Sequence, residues 1–69
     1  MSNELKYLAY AMEYYRRKKG LSGPEAARLF EKYDLYQLVI DNYFLYHIES
    51  PDNMVADLDE FIATGRVLA

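Results

Sequence analysis

The sequence predicts an all-α fold, a small four-helix bundle formed as one helical domain over residues 1–69. Three observations predict it. Apolar residues recur at three- and four-residue spacing, the period of a helix with one buried face. Serine, aspartate, proline and glycine separate these segments where helices would begin and end. The connections between the segments are short, as expected for neighbouring antiparallel helices.

The first helix is predicted over residues 3–19. Ser2 or Asn3 can cap its start, and Gly20 can adopt the left-handed conformation that ends it. A rotation of about 100° per residue places two stripes on nearly opposite sides of this helix. The core-facing stripe is Leu5, Leu8, Ala9, Met12 and Tyr15, and the opposite stripe is Tyr7, Tyr10 and Tyr14. One buried face is enough for a helix in a small bundle, so the tyrosine stripe is unusual.

The second and fourth helices are predicted over residues 24–33 and 51–64. Ser22 and Glu25 form a capping box before the second helix. Ser50 precedes a proline suited to the first position of the fourth helix, and Gly65 ends that helix. The predicted core residues are Ala26, Leu29, Phe30 and Tyr33 in the second helix, and Met54, Val55, Leu58, Phe61 and Ile62 in the fourth.

The third helix is predicted over residues 35–47, with Asp34 as its cap and Gln37 in the capping-box position. Its segment LYQLVIDNYFLYHI is apolar almost all the way round. Such a helix lies either at the centre of a bundle or at an interface. Val39-Ile40 leaves a strand as the alternative for part of this segment, although its length favours a helix. Asn42 falls in the apolar arc and is expected to bond to a neighbouring group.

Composition limits the function classes. Eight Lys/Arg against eleven Asp/Glu give a net charge of −3, so the lone chain is not expected to bind nucleic acid. There is no cysteine, which excludes disulfides and cysteine zinc sites. No segment resembles a membrane span or a signal peptide, so we expect no membrane association and a cytoplasmic protein. The hydrophobic fraction is 52%, with eight tyrosines, and some of this apolar surface is expected to face a partner.

The basic run Arg16, Arg17, Lys18 and Lys19 is interpreted as a helix end, because its four side chains point in different directions and cations stabilise the last turn. Glu13 is placed to pair with Arg17. The alternatives are a docking patch for an acidic partner and a weak phosphate contact. A helix-turn-helix would need base-reading side chains on residues 35–38, where Gln37 is the only polar residue.

Catalytic residues are scarce, and no enzyme activity is expected. His47 is the only histidine, and all three serines occupy cap positions. A metal site from His47, Glu49 and Asp52 is conceivable, but transition-metal sites usually hold more histidines or cysteines. We therefore predict no metal, no cofactor and no small-molecule substrate. His47 is interpreted as a residue that closes a helix.

Four features follow one another along the chain in a recognisable order. They are the aromatic first helix with its basic end, the segment GLSGPEAARLFEKY, the residues Tyr43–His47 and the acidic ADLDEFI. In that order and spacing, over roughly residues 7–62, the sequence resembles short bacterial proteins catalogued as domain of unknown function three-seven-nine-one. Members usually read Leu-His-Thr where this chain has Tyr46-His47-Ile48. The family has no assigned activity. The resemblance implies an accessory protein with a partner-binding or antitoxin-like role, since some members lie near toxin-like proteins.

The resulting hypothesis is a protein–protein interaction module that binds itself, as a homo-oligomer, or a neighbouring protein. The alternative is a nucleic-acid-associated regulator that acts as a dimer or in a complex that supplies positive charge. Tyrosine suits interfaces because it offers a large contact area at low entropic cost. The candidate partner-binding residues are Tyr7, Tyr10, Tyr14, Tyr36 and Tyr43, with Arg16, Arg17, Lys18 and Lys19 steering an acidic partner.

Overall fold

The computed structural model describes residues 2–65, and over this range the chain is all-helical, as predicted. No strand occurs within the described residues. The third predicted helix is divided in two, so the described chain holds five helices and not four. The helices are α1 (Asn3–Lys19), α2 (Gly23–Lys32), α3 (Leu35–Asp41), α4 (Tyr43–Tyr46) and α5 (Pro51–Thr64).

Local side-chain and glycine chemistry defines the ends of α1 and the start of α2. The Ser2 hydroxyl accepts a hydrogen bond from the Leu5 N–H at 3.1 Å, which satisfies one of the free amides of the first turn. Gly20 has φ +67°, the left-handed conformation predicted for it. At α2, Ser22 and Glu25 form the predicted capping box, with bonds of 2.8 and 3.2 Å. These capping predictions are confirmed.

The predicted cap of the third helix is wrong. Asp34 precedes α3 in a left-handed conformation with φ +53°, and its side chain makes no capping bond. An N-cap residue needs extended backbone for its carboxylate to reach the first-turn amides. Gln37, expected in the capping box, donates instead to Asp41 at 2.7 Å.

Asn42 marks the break between α3 and α4 and has non-helical φ and ψ of −107° and 16°. Its side-chain amide donates to the Leu38 carbonyl at 2.9 Å, the same oxygen that accepts its backbone N–H at 3.1 Å. The expected bond to a neighbouring group is therefore confirmed. Bonds from an asparagine side chain to nearby backbone compete with a continuous helix. Asn42, with its non-helical backbone and this local bond, is the position at which residues 35–47 divide into two helices.

The core lies where α1, α2, α3 and α5 meet, with Tyr46 entering from α4. The predicted core faces of α2 and α5 are confirmed. Each predicted core residue of these two helices is either buried or partly buried against the core. The buried core residues are Ala11, Tyr15, Ala26, Phe30, Leu35, Leu38, Val39, Tyr46, Met54 and Leu58.

The predicted core stripe of α1 is partly wrong. Leu5 is 48% exposed and Ala9 is exposed, whereas Tyr7 and Tyr14 are half-buried against the core. The buried face is centred on Ala11 and Tyr15, so it is rotated toward the tyrosine stripe. A tyrosine side chain is amphipathic, so its ring can pack on the core while its hydroxyl points outward. A pattern that classes each residue as apolar or polar does not predict this arrangement. None of the helices over residues 2–65 is long and apolar enough to cross a membrane.

Candidate functional site

Aromatic rings form a continuous series of contacts from α1 to α4. The ring centroids of Tyr14 and Tyr10 are 6.0 Å apart, and those of Tyr10 and Tyr7 are 5.6 Å apart. Tyr7 contacts Tyr43 edge-on at 5.7 Å, which carries the series onto α4. Tyr43 stacks on His47 at 4.4 Å, and His47 contacts Phe44 at 5.6 Å. We call these six residues the aromatic ladder; they are Tyr14, Tyr10, Tyr7, Tyr43, His47 and Phe44.

The ladder brings together four of the five tyrosines predicted to bind a partner. The fifth, Tyr36, lies elsewhere. Its half-buried ring packs edge-on against Phe30 at 5.5 Å, and its hydroxyl lies 3.5 Å from the Ala27 carbonyl. No ring contact joins Tyr36 to the ladder among the described residues. Packing on the core accounts for its position.

An exposed apolar patch adjoins the ladder at α4. Phe44 is 76% exposed, Ile48 65% and Leu45 48%. Phe44 and Leu45 belong to α4, Ile48 follows in the turn after it, and Tyr46 between them is buried; we call the three exposed residues the α4 patch. Our prediction of partner-binding residues did not include them. The available signal was the segment LYQLVIDNYFLYHI, whose apolar character on every side requires either central burial or an interface.

The basic run at the end of α1 is paired with the protein's own carboxylates. Arg16 and Arg17 both bond to Glu13, the latter at 2.9 Å, so the predicted Glu13–Arg17 pair is confirmed. Hydrogen bonds from the two arginines lower the pKa of Glu13 to about 2. Lys18 lies 3.3 Å from Asp52, and Lys19 lies 2.8 Å from Asp59. Steering of an acidic partner by this run stays a prediction.

Two tyrosines complete the contacts of the same aspartates. The Tyr14 hydroxyl donates to Asp52 at 2.6 Å, and the Tyr15 hydroxyl donates to Asp59 at 2.6 Å. Each aspartate thus receives one tyrosine and one lysine from α1, spaced four residues apart. We call these the two Tyr–Asp–Lys clamps, and they attach α5 to α1. The bond to Asp52 is the main reason that the pKa of Tyr14 is raised to about 12, and the same bond and Lys18 lower the pKa of Asp52.

Two further hydroxyls are buried without a partner, those of Tyr7 and Tyr46. Burial is the main reason that the pKa of each is raised. The Asp57 carboxylate lies near enough to Tyr46 to raise its pKa further, yet no oxygen satisfies the geometry of a hydrogen bond to that hydroxyl. Unpartnered buried polar groups are destabilising, so these two sites lower the stability of the fold.

The chemically reactive residues occupy structural positions. His47 is exposed, its Nδ1 is 2.9 Å from the Tyr43 carbonyl, and it caps the end of α4 as predicted. The Ser50 hydroxyl accepts the Asp52 N–H at 3.3 Å, so it caps α5. Within residues 2–65, no three histidine, cysteine, aspartate or glutamate side chains come together as metal ligands.

Comparison with known proteins gives a family and no characterised relative. No curated protein and no solved structure matches this sequence. One family model matches residues 6–64, a slightly longer range than the resemblance noted in the sequence. The match covers the helices that carry the aromatic ladder, the α4 patch and both clamps. The chain thus belongs to the family described as protein of unknown function (DUF3791).

Proposed function

We propose that the protein is a protein–protein interaction module whose contact surface is the aromatic ladder together with the α4 patch. The observation that carries this proposal is the exposure of Phe44, three quarters of whose side chain faces solvent at the end of a six-ring series. Aromatic residues are enriched at interfaces, and tyrosine and tryptophan are enriched among the residues that dominate binding energy. An exposed cluster of apolar side chains on a small domain is typical of a binding surface.

The proposal takes the chain to be a binding protein and not an enzyme. His47 is stacked against Tyr43 within the ladder and has a backbone carbonyl at its Nδ1. In this position the imidazole contributes a flat contact surface. A partner bound here would make the protein either a homo-oligomer or an accessory protein of antitoxin-like character.

A nucleic-acid-associated regulator gains no specific support. Phosphate contacts need cations that are free to displace counterions. Each cation of the basic run has a carboxylate of the same chain within 4 Å, so binding phosphate would first require these ion pairs to open. We therefore keep the interaction module as the single proposal.

The experiment uses Tyr10, an exposed ladder residue whose replacement is expected to disturb the fold little. Tyr10 is 48% exposed and does not pack on the core, so Tyr10→Ser is expected to leave helicity unchanged. Association is measured in two ways: sedimentation of the purified chain, and capture of stoichiometric partners by the tagged chain in its native host. We expect Tyr10→Ser to weaken the association by about tenfold, as for a moderate interface residue.

Leu5→Ser is the matched control. Leu5 lies on the same helix with the same 48% exposure, but on the other flank of α1 and outside the ladder. We expect this variant to associate like the wild type. Wild-type protein that binds neither itself nor a stoichiometric partner would overturn the proposal. Equal weakening by both substitutions would show that the ladder is not the contact surface.

A further inference from the structure

We propose that the α4 patch binds a basic amphipathic segment of a partner protein, one in which Lys or Arg residues flank apolar side chains. This inference rests on the proposed function and names the chemistry of the partner. It joins two features of the same part of the chain. One is the exposed apolar surface of Phe44, Leu45 and Ile48, and the other is the pair of carboxylates, Asp41 and Glu49, on either side of it.

Two exposed carboxylates flank the α4 patch along the chain. Asp41 comes three residues before the first patch residue, and Glu49 directly follows the last. Asp41 accepts a hydrogen bond from Gln37 at 2.7 Å, and Glu49 accepts one from Asn53 at 3.4 Å. Both donors are neutral amides, and no ion pair within residues 2–65 includes either carboxylate. The two negative charges are therefore available to a partner.

The negative charge extends beyond these two residues. Residues 33–65 contain seven Asp or Glu and no Lys or Arg, whereas residues 1–32 contain seven of the eight Lys and Arg of the chain. Of the seven carboxylates, the two that belong to the clamps pair with lysines of α1. The part of the chain that carries the α4 patch is thus acidic and lacks cations of its own. Such a field attracts a cationic partner and speeds its encounter.

The three apolar side chains are too few to hold a partner by burial alone. Their exposed fractions correspond to on the order of 350 Å² of surface. A standard interface buries about 800 Å² on each partner, so contact at this patch belongs to the weak and transient class. Opposite charges add specificity and a faster encounter to such a contact. A segment with cations beside its apolar side chains would use both features of the site.

The same carboxylates disfavour other occupants. A two-fold dimer uses one surface on both copies, so a second copy would bring an equally acidic surface against the patch. The cations of the basic run do not relieve this repulsion, because they are paired with carboxylates of their own chain. Nucleic acids and anionic lipid surfaces present phosphates, which the carboxylates also repel. A basic segment is the occupant whose charge complements the site.

Two matched peptides test the inference. Both are amphipathic helices of about 15 residues with leucine at the same positions, and the polar positions hold lysine in one peptide and glutamate in the other. Each is titrated into the isotope-labelled full chain, and the amide chemical shifts locate the contact and give its dissociation constant. We expect the lysine peptide to shift residues 41–49, with a dissociation constant that rises with salt. The glutamate peptide should leave these residues unchanged.

Three variants separate the apolar contribution from the charge. Phe44→Ser removes the most exposed apolar side chain, and we expect the dissociation constant to rise by about tenfold. Asp41→Asn with Glu49→Gln removes two charges and keeps both acceptor oxygens, and we expect a rise of about fivefold at low salt. Glu31→Gln with Asp34→Asn is the control, since it removes two charges at exposed residues near the connection between α2 and α3. It should bind within about twofold of the wild type.

Four results would contradict the inference. They are a lysine peptide that shifts none of residues 41–49 at several hundred micromolar, equal binding of the two peptides, equal weakening by the patch and control charge variants, and self-association of the wild type that Phe44→Ser abolishes. The last result would make a second copy the occupant. Partner binding that depends on Tyr10 would leave the proposed function standing even if the lysine peptide does not bind. A chain that shows neither would remove both.

Discussion

Tyr15 and Tyr46 provide a direct test of what a buried tyrosine hydroxyl contributes to this fold. Both side chains are 1% exposed and both belong to the same core. They differ in the environment of one atom. The Tyr15 hydroxyl donates to Asp59 at 2.6 Å, whereas the Tyr46 hydroxyl has no partner. Replacing each with phenylalanine removes the same atom, so the difference between the two variants isolates the hydrogen bond.

The expected changes have opposite signs. Tyr15→Phe removes a bond to an ionised acceptor, worth about 1.5–3 kcal/mol, and we expect the lower end because Lys19 continues to pair with Asp59. Tyr46→Phe removes a hydroxyl that lost its hydration without gaining a partner, so we expect unfolding free energy to stay unchanged or to rise by about 1 kcal/mol. For a domain of this size, each kilocalorie corresponds to a shift in melting temperature of about 4–8 °C.

Thermal and urea unfolding monitored by circular dichroism would measure both values at one protein concentration. We expect Tyr15→Phe to melt clearly below the wild type and Tyr46→Phe to melt at or above it. The double variant should show the sum of the two changes, because the two hydroxyls share no hydrogen-bond partner. A Tyr46→Phe variant that loses as much stability as Tyr15→Phe would refute the reasoning, since it would require a hydrogen bond at the Tyr46 hydroxyl.

Three further predictions concern separate sites. Because the pKa of Glu13 is lowered in the folded chain, the stability from its bonds to the two arginines is complete above about pH 4.5 and is lost as pH falls toward 2. In an acid titration followed by helicity, Glu13→Gln should therefore lose less helix over this range than the wild type. Because the pKa of Tyr14 is raised to about 12 in the folded chain, the stability from this clamp should be lost as pH rises from 10 to about 12. In an absorbance titration, Tyr14→Phe should lack one phenol that ionises near the upper end of this range. Gly20→Ala should destabilise by about 1 kcal/mol in urea unfolding because φ is +67°. Gly23→Ala should destabilise less, because Gly23 has no positive φ and its added Cβ would meet only the ring of Pro24. Equal effects at the two glycines would contradict the backbone explanation.

Helix ends were predictable where they depend on residues close in sequence. The Ser22–Glu25 capping box and the left-handed Gly20 follow from chemistry within four residues, and both are present as predicted. Asp34 has the right chemistry for a cap but the wrong backbone conformation. The tight connection between α2 and α3 sets that conformation, and residue type alone does not reveal it.

The rotation of α1 could not be predicted because it depends on contacts distant in sequence. Tyr14 and Tyr15 turn toward α5 to reach Asp52 and Asp59, which lie 38 and 44 residues away. An analysis of hydrophobic periodicity treats tyrosine as an apolar ring. It does not include the hydrogen bond of the hydroxyl that orients the side chain. The exposure of Phe44 has a similar origin. An all-apolar segment does not show which of its sides remains open after the break at Asn42.

The two Tyr–Asp–Lys clamps have a consequence for how sequences in this family can diverge. Each clamp is a three-residue unit drawn from opposite ends of the chain, and the aspartates are seven positions apart on α5. Loss of Asp59 would leave Lys19 and the hydroxyl of the buried Tyr15 unpaired, so relatives that replace Asp59 should also carry phenylalanine in place of Tyr15. Tyr10 belongs to neither clamp, so it can be replaced without loss of such a bond unless a partner requires it. Among relatives, paired changes at the clamp residues would therefore indicate that the fold is retained. An unchanged Tyr10 would indicate that the binding surface is retained as well.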